Sequence, residues 1–171
     1  MRLWLILLLA LLGVGLALST VFYWTARQRD LVRRPVEKTV GCGSRRALLI
    51  YQPSNRGKNH TAARALAAAL AGAGYTVTVN YPSPVLAYEP QDYDLLLFGG
   101  SAYIGTVGRP LKEYLSSLHF RDKPVLLFVV GDLEQAPELA GLRLCVPEGN
   151  HIRSIKIRPG EERKLCRFAL N

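Results

Sequence analysis

The loop QPSNRGKN, residues 52–59, brings together side chains that could bind a phosphate. Hydroxyl and amide groups donate hydrogen bonds to phosphate oxygens, basic side chains balance their charge, and a glycine lets the backbone approach closely. The candidates are Ser54, Asn55, Arg56, Gly57, Lys58 and Asn59. An alanine-rich segment, 61–70, follows and is typical of a helix, with Asn59 as its N-cap. The free N–H groups and positive dipole end of that helix would serve the same anion.

Two other interpretations of this loop have to be weighed. The dipeptide Gly57-Lys58 also occurs in the Walker A loop of nucleotide triphosphatases. That motif requires a glycine at position 52 and a magnesium-binding hydroxyl after the lysine, where this chain has Gln52 and Asn59. The sequence therefore argues against a triphosphatase. An ordinary strand-to-helix turn with solvated charges stays open, because glycine and asparagine are common turn residues.

Apolar runs and helix-length segments predict how these residues are positioned. Four continuous apolar runs read as buried strands, and a fifth, weaker one follows; they are 47–51, 75–79, 95–98, 125–130 and 152–157. Runs that are apolar on both faces and alternate with helical segments are typical of a parallel sheet covered on both sides. We therefore predict an α/β fold with a doubly wound parallel sheet of strand order 2-1-3-4-5.

A second loop should face the first in that fold. In a doubly wound sheet, ligands bind outside the carboxyl ends of the strands where the order reverses, here between the first and third strands. The loop GGSAYIGTVG, residues 99–108, follows the third predicted strand. Both loops should therefore border one site.

The first part of the chain predicts a membrane anchor. Residues 3–25 contain no charge, and as a helix they would reach roughly 33 Å, enough for a hydrocarbon core of about 30 Å. Basic residues are concentrated after this segment, so the positive-inside rule predicts a single-pass cell membrane protein with its soluble part on the cytoplasmic side. A cleaved signal peptide is the alternative, with Ala17 and Ser19 as a possible cleavage site.

The predicted organisation is a transmembrane helix at 3–25, a basic tether at 26–46 and one α/β domain at 47–171. The net charge of +9 is concentrated partly in the tether, which favours contact with anionic lipid over nucleic acid. Three cysteines form no CxxC pair, and no His or Cys lies at ligand spacing, so no metal site is predicted. The three histidines are isolated in sequence, and the catalytic residues are unknown.

Two segments resemble the flavodoxin family. YQPSNRGKNHTAARALAAAL resembles its phosphate-binding start, with Asn59 where the family usually has a threonine. DYDLLLFGGSAYIGTVGRPLKEYL resembles its third strand and flavin-ring loop. Gly100, Ser101, Tyr103 and Gly105 match the family's GSPxYxG pattern, with Ala102 in place of the proline, and Asp94 matches the family in the segment before it.

That resemblance implies a flavodoxin-like fold and FMN as cofactor. The FMN phosphate would lie on the loop from Ser54 to Asn59 and the isoalloxazine against Ser101 to Gly105, with Tyr103 on the ring. Gly131 and Asp132 would form a third wall, in a loop, GDLEQAP, without an aromatic residue to stack on the flavin.

With the anchor, the resemblance implies a membrane-anchored FMN flavoprotein that passes electrons to or from a membrane-associated partner or a quinone. It is similar in this respect to the menaquinone-dependent protoporphyrinogen oxidases, which also work at a membrane. A simple electron carrier is equally compatible with the sequence. The alternative is a flavodoxin-fold interaction module that has lost flavin binding.

Overall fold

The computed structural model describes residues 2–54, 57–103 and 105–171 and contains two compact units, 1–31 and 32–171. The first unit is helix α1, Arg2–Arg29. Its segment Trp4–Trp24 has a mean hydropathy of 2.6 and is long enough to cross a membrane, as a signal sequence near the N-terminus would also be. The helix extends past the predicted end at residue 25, because alanine, arginine and glutamine are good helix formers.

The second unit is built around a six-stranded sheet with the order β1-β3-β2-β4-β5-β6. The strands are β1 Lys38–Val40, β2 Arg45–Tyr51, β3 Tyr75–Asn80, β4 Leu95–Ser101, β5 Pro124–Val130 and β6 His151–Ile157. Strands β2 to β6 are parallel to their neighbours, and counted from β2 they have the predicted order 2-1-3-4-5. The predicted fold class is confirmed, with one addition: β1 pairs antiparallel with β3, so the sheet is mixed.

Helices cover both faces of this sheet, and each face has its own core. Helices α2, Lys58–Gly72, and α5, Glu162–Leu170, lie on one face, whereas α3, Arg109–Ser117, and α4, Pro137–Arg143, lie on the other. Because side chains alternate along a strand, Leu48 and Ile50 of β2 pack towards α3 and α4, and Leu49 packs towards α2. The proline-rich connection between β3 and β4 contains only a short 3₁₀ helix, Pro90–Asp92, as its prolines predict.

Part of the predicted tether belongs to the folded domain. Besides β1, the backbone N–H of Val36 donates to Oδ1 of the buried Asn80, at 2.8 Å. Two glycines then let the chain pass closely over the α2–β3 connection. A Cβ on Gly41 would lie 2.5 Å from the carbonyl oxygen of Tyr75, and a Cβ on Gly43 would lie 1.9 Å from that of Gly74. These glycines therefore make close packing possible, although in the sequence they resemble flexible linker residues.

We expect Gly43→Ala to lower the free energy of unfolding by about 1–3 kcal/mol, as overpacking does, because the new methyl group would overlap backbone atoms that cannot rotate away. Urea denaturation of the detergent-solubilised protein, followed by circular dichroism, measures the change. Gly72→Ala is the control: a Cβ there meets nothing within 4 Å, so stability should stay the same or rise slightly. Equal midpoints for Gly43→Ala and the unaltered protein would contradict the packing described.

Candidate functional site

The loop between β2 and α2 is shaped by Gly57. This residue has φ +67° and caps α2, and its carbonyl oxygen accepts hydrogen bonds from the N–H groups of His60 and Thr61, at 3.0 and 3.2 Å. The sequence predicted Asn59 as the N-cap; the structure shows that the N-cap is Gly57. The N–H groups of Lys58 and Asn59 precede the first intrahelical bonds, so they are the donors that a helix N-terminus offers to an anion.

Asn59 holds the loop closed from inside. It is fully buried; its Oδ1 accepts a hydrogen bond from the N–H of Ser54, at 2.9 Å, and its Nδ2 donates to the carbonyl oxygen of Gln52. Both ends of the side-chain amide are thus occupied by the loop backbone. The structure gives Asn59 a role in fixing the loop, while the predicted Asn55 and Arg56 lie outside the described residues.

In the described part of this loop, Ser54 has unused hydrogen-bonding capacity. Its Oγ is buried and has no hydrogen-bond partner in the described part of the chain. Leaving a buried hydroxyl unpaired costs about 1–3 kcal/mol. An oxyanion held by the N-terminus of α2 could accept a hydrogen bond from this hydroxyl. An ordinary strand-to-helix turn would have no use for such a buried donor, so the loop is better suited to a phosphate.

The second loop is a tight turn at the end of β4. Tyr103 and Thr106 exchange two backbone hydrogen bonds, of 2.7 and 3.0 Å, and Gly105 between them has φ +74°. Ser101, at the end of β4, is buried, and the N–H of Ala102 extends the ladder to the carbonyl oxygen of Val130, at 3.0 Å. The half-buried Tyr103 therefore lies in a hydrogen-bonded pair with Thr106, directly after the end of β4.

Glycines in β4 make contacts with the core. A Cβ on Gly99 would lie 2.0 Å from the ring of Phe128, so only glycine fits there. A Cβ on Gly100 would lie 3.3 Å from Leu111 of α3. The sequence assigned Gly100 to the cofactor; the structure places it in a buried strand position, where it brings the second loop close to α3.

The third loop meets both of the others. A Cβ on Gly131 would lie 2.6 Å from Cβ of Ala102, so the glycine lets the second and third loops touch. The exposed Asp132 accepts from Nζ of Lys58, at 3.4 Å, and thereby joins the third loop to the first. The three loops that the sequence selected lie together at the carboxyl ends of β2, β4 and β5.

An ion pair behind the third loop was missed in the sequence. Lys156 of β6 and Glu138 of α4 have side chains only 7% and 3% exposed, and Nζ lies 3.0 Å from Oε2. Lys156 also donates to the carbonyl oxygen of Gln135 and packs 3.1 Å from the Cβ position of Gly131. Breaking such a buried pair is strongly destabilising. Lysine is rarely buried without a charged partner, and Glu138 lies too far from Lys156 along the chain for the sequence to indicate the pair.

No protein-family model and no curated protein sequence matches the chain, but solved structures do. A flavodoxin from the domain Archaea is 14% identical with a TM-score of 0.59, covering 73% of this chain and 94% of that one. Oxidised flavodoxin 2 from Bacillus cereus is 19% identical with a TM-score of 0.60, covering 73% and 95%. A flavoprotein in complex with FMN from Lactobacillus acidophilus NCFM is 13% identical with a TM-score of 0.52, covering 72% and 98%.

These similarities agree with the topology described above. The sheet order and the loops at its switch point define a doubly wound α/β protein. More particularly, the chain has a flavodoxin-like fold, which confirms the fold indicated by the two sequence segments.

We expect Asn59→Ala to lower the free energy of unfolding by about 1–3 kcal/mol, because Ser54 N–H and the Gln52 carbonyl oxygen would both lose their buried partner. Thermal unfolding followed by circular dichroism measures the change. Asn59→Asp keeps the acceptor but faces a carbonyl oxygen with a carboxylate, so it should also destabilise. Thr61→Ala, at an exposed position of the same helix, is the control. A tolerated Asn59→Ala would rule out the loop-closing role.

Proposed function

We propose that this protein is a membrane-anchored FMN flavoprotein that transfers electrons to or from a membrane-associated partner or a quinone. One observation carries the proposal: three loops rich in small and polar residues converge at the switch point of a flavodoxin-like fold. Ligands bind at this position in doubly wound sheets. A solved protein of similar fold is described as a complex with FMN.

The first loop fits the phosphate of FMN. Ser54 offers a buried hydroxyl that lacks a partner among the described residues, and the N-terminus of α2 offers the N–H groups of Lys58 and Asn59. The Lys58 side chain is 37% exposed, so its ammonium can shift from Asp132 to the ligand. Serine, backbone amides and lysine together satisfy a terminal phosphate without a metal ion.

The second and third loops would hold the flavin ring. Ser101 ends β4, Tyr103 and Gly105 belong to the turn that follows it, and Asp132 lies on the third loop, in contact with Lys58. FMN supplies one- and two-electron transfer when bound, so the chain would only bind it and tune its potential. Residues 132–135 of the third loop are exposed and include no aromatic side chain. The ring would thus be open on that side to an electron partner.

The second candidate function is an interaction module that keeps the fold without a flavin. Two contacts favour it: the amide of Asn59 is used by the loop itself, and the ion pair of Lys58 with Asp132 joins the first and third loops. Both contacts stabilise the loops without a ligand. Flavin binding separates the two functions directly.

We expect the purified full-length protein to show flavin absorbance, or to acquire it on titration with FMN. Ser54→Ala should weaken FMN binding about 5- to 10-fold, the effect of about 1–1.4 kcal/mol for one lost hydrogen bond, and leave riboflavin binding unchanged. Quenching of flavin fluorescence measures both affinities. Ser116→Ala, on the exposed side of α3, should change neither. Failure of the unaltered protein to bind FMN at any concentration would favour the interaction module.

The membrane orientation rests on α1 and its flanks. The segment Trp4–Trp24 has the required length, and Arg27, Arg33, Arg34 and Lys38 follow it, a distribution that favours a cytoplasmic location for the domain. Basic residues close to an anionic leaflet would contribute about 1 kcal/mol each to membrane contact.

We expect the exposed Cys42 to react with a membrane-impermeant maleimide only after cells are permeabilised, because the domain would lie on the cytoplasmic side. Gel-shift labelling of the full-length protein measures the reaction. The Cys42→Ser variant gives the background labelling of the half-buried Cys145 and Cys166, which is subtracted. Labelling in intact cells, or a mature protein that has lost residues 1–25, would contradict the predicted orientation or the anchor.

A further inference from the structure

A cavity of about 290 Å³ lies beside α2, between that helix and the β1–β3 edge of the sheet. It is separate from the second and third loops described above. Much of its wall is aliphatic, with Val40 of β1, Val79 of β3 and Ala67 of α2 among the contributors. The volume is at the lower end of the range for small-molecule sites, and the composition of the wall suits an apolar body.

A buried polar pair forms one part of the wall. Tyr51 is only 2% exposed, and its hydroxyl lies 2.5 Å from Nδ1 of His60; both residues line the cavity. The ring of Tyr51 packs edge-on against Tyr81, with 5.3 Å between ring centroids. Burial, and then the hydrogen bond with Tyr81, raise the pKa of Tyr51 above its ordinary value, so Tyr51 keeps its proton. The contact with the Tyr51 hydroxyl uses Nδ1 of His60 and orients the imidazole, whose Nε2 is its second hydrogen-bonding atom.

The charged side chains known to line the cavity are both positive. They are the exposed Arg64 of α2 and Lys38 of β1, and no carboxylate lines the cavity within the described part of the chain. Within the described residues, neither cation forms an ion pair with an acidic side chain. Two cations and an imidazole beside an aliphatic wall provide partners for one anionic group attached to an apolar body.

We propose that this cavity binds a small amphiphilic anion of roughly ten to fifteen non-hydrogen atoms in all, made of an apolar body and a single carboxylate. The apolar body lies against Val40, Ala67 and Val79, and the carboxylate meets Arg64 and Lys38. His60, oriented by Tyr51, donates to the same carboxylate. The site does not depend on flavin binding, so the test of this site and the test of the proposed function are independent.

Calorimetric titration of the full-length protein in phosphatidylcholine nanodiscs tests the site, with empty nanodiscs as background. The probes are 4-phenylbutyrate, an aromatic acid, and octanoate, a short fatty acid, so the arms distinguish a free metabolite from a lipid-derived ligand. We expect saturable binding of at least one acid, and at least tenfold weaker binding of the matching alcohol, because the alcohol lacks the charge that the cations recognise.

Variants locate the binding within the cavity. Arg64→Gln should weaken binding of the acid at least tenfold, whereas Arg163→Gln, an exposed arginine on α5, should leave it unchanged. Ala68→Phe, at an exposed helical position that lines the cavity, should abolish binding by filling it. Thermal unfolding shows whether each variant is folded, and a variant that unfolds is replaced by Arg64→Lys and Ala68→Leu. Equal affinity for acid and alcohol, no binding of either acid, or insensitivity to both substitutions would overturn the proposal.

Discussion

The pairing of β2 with two parallel neighbours is the constraint on which the rest of the structure depends. Strands β3 and β4 pair with opposite edges of β2. The connection after β2 therefore runs towards β3 on one side, and the connection after β4 runs towards β5 on the other. The loops after β2 and β4 therefore emerge side by side without a helix between them. The loop after β5 lies beside the loop after β4, because β5 pairs with β4, and the Lys58–Asp132 ion pair connects it to the loop after β2.

The close approach of the three loops depends on glycines, which have no side chain, as much as on contacts between side chains. Gly131 lets the third loop touch Ala102, and Gly99 admits the ring of Phe128 beneath the second loop. The buried pair of Lys156 and Glu138 then holds the third loop from behind. Small residues set the spacing of the loops, and losing either member of the buried charge pair would leave an uncompensated charge behind the third loop.

Much of this arrangement could be predicted, because its signals are local. Continuous apolar runs such as Val125 to Val130 identified the strands, and the polar loop before an alanine-rich segment predicted a helix that starts within two residues of the observed N-cap, Gly57. Other features depend on partners far away in sequence. The three-residue β1 is too short to show a periodicity, and Gly43 matters only because Gly74 passes 31 residues later.

The same limit explains why the sequence did not indicate the contacts of Asn59 and Lys156. The side-chain amide of Asn59 could serve either a helix cap or the loop backbone, and only the folded path of residues 52–54 decides between them. Lys156 resembles a solvated charge until α4 brings Glu138 against it. Polar side chains with several possible partners are the least predictable part of a sequence, because their energies depend on three-dimensional surroundings.

The short strand β1 also bears on how the protein behaves at high concentration. A sheet of this kind has two outer edges, and unpaired backbone groups on both would allow copies to join into a growing fibre. Here one outer edge is β1, which presents only three residues, and the other is β6, which carries the exposed Arg153. A very short edge and a charged edge both disfavour strand addition, so the sheet is protected against aggregation at each side.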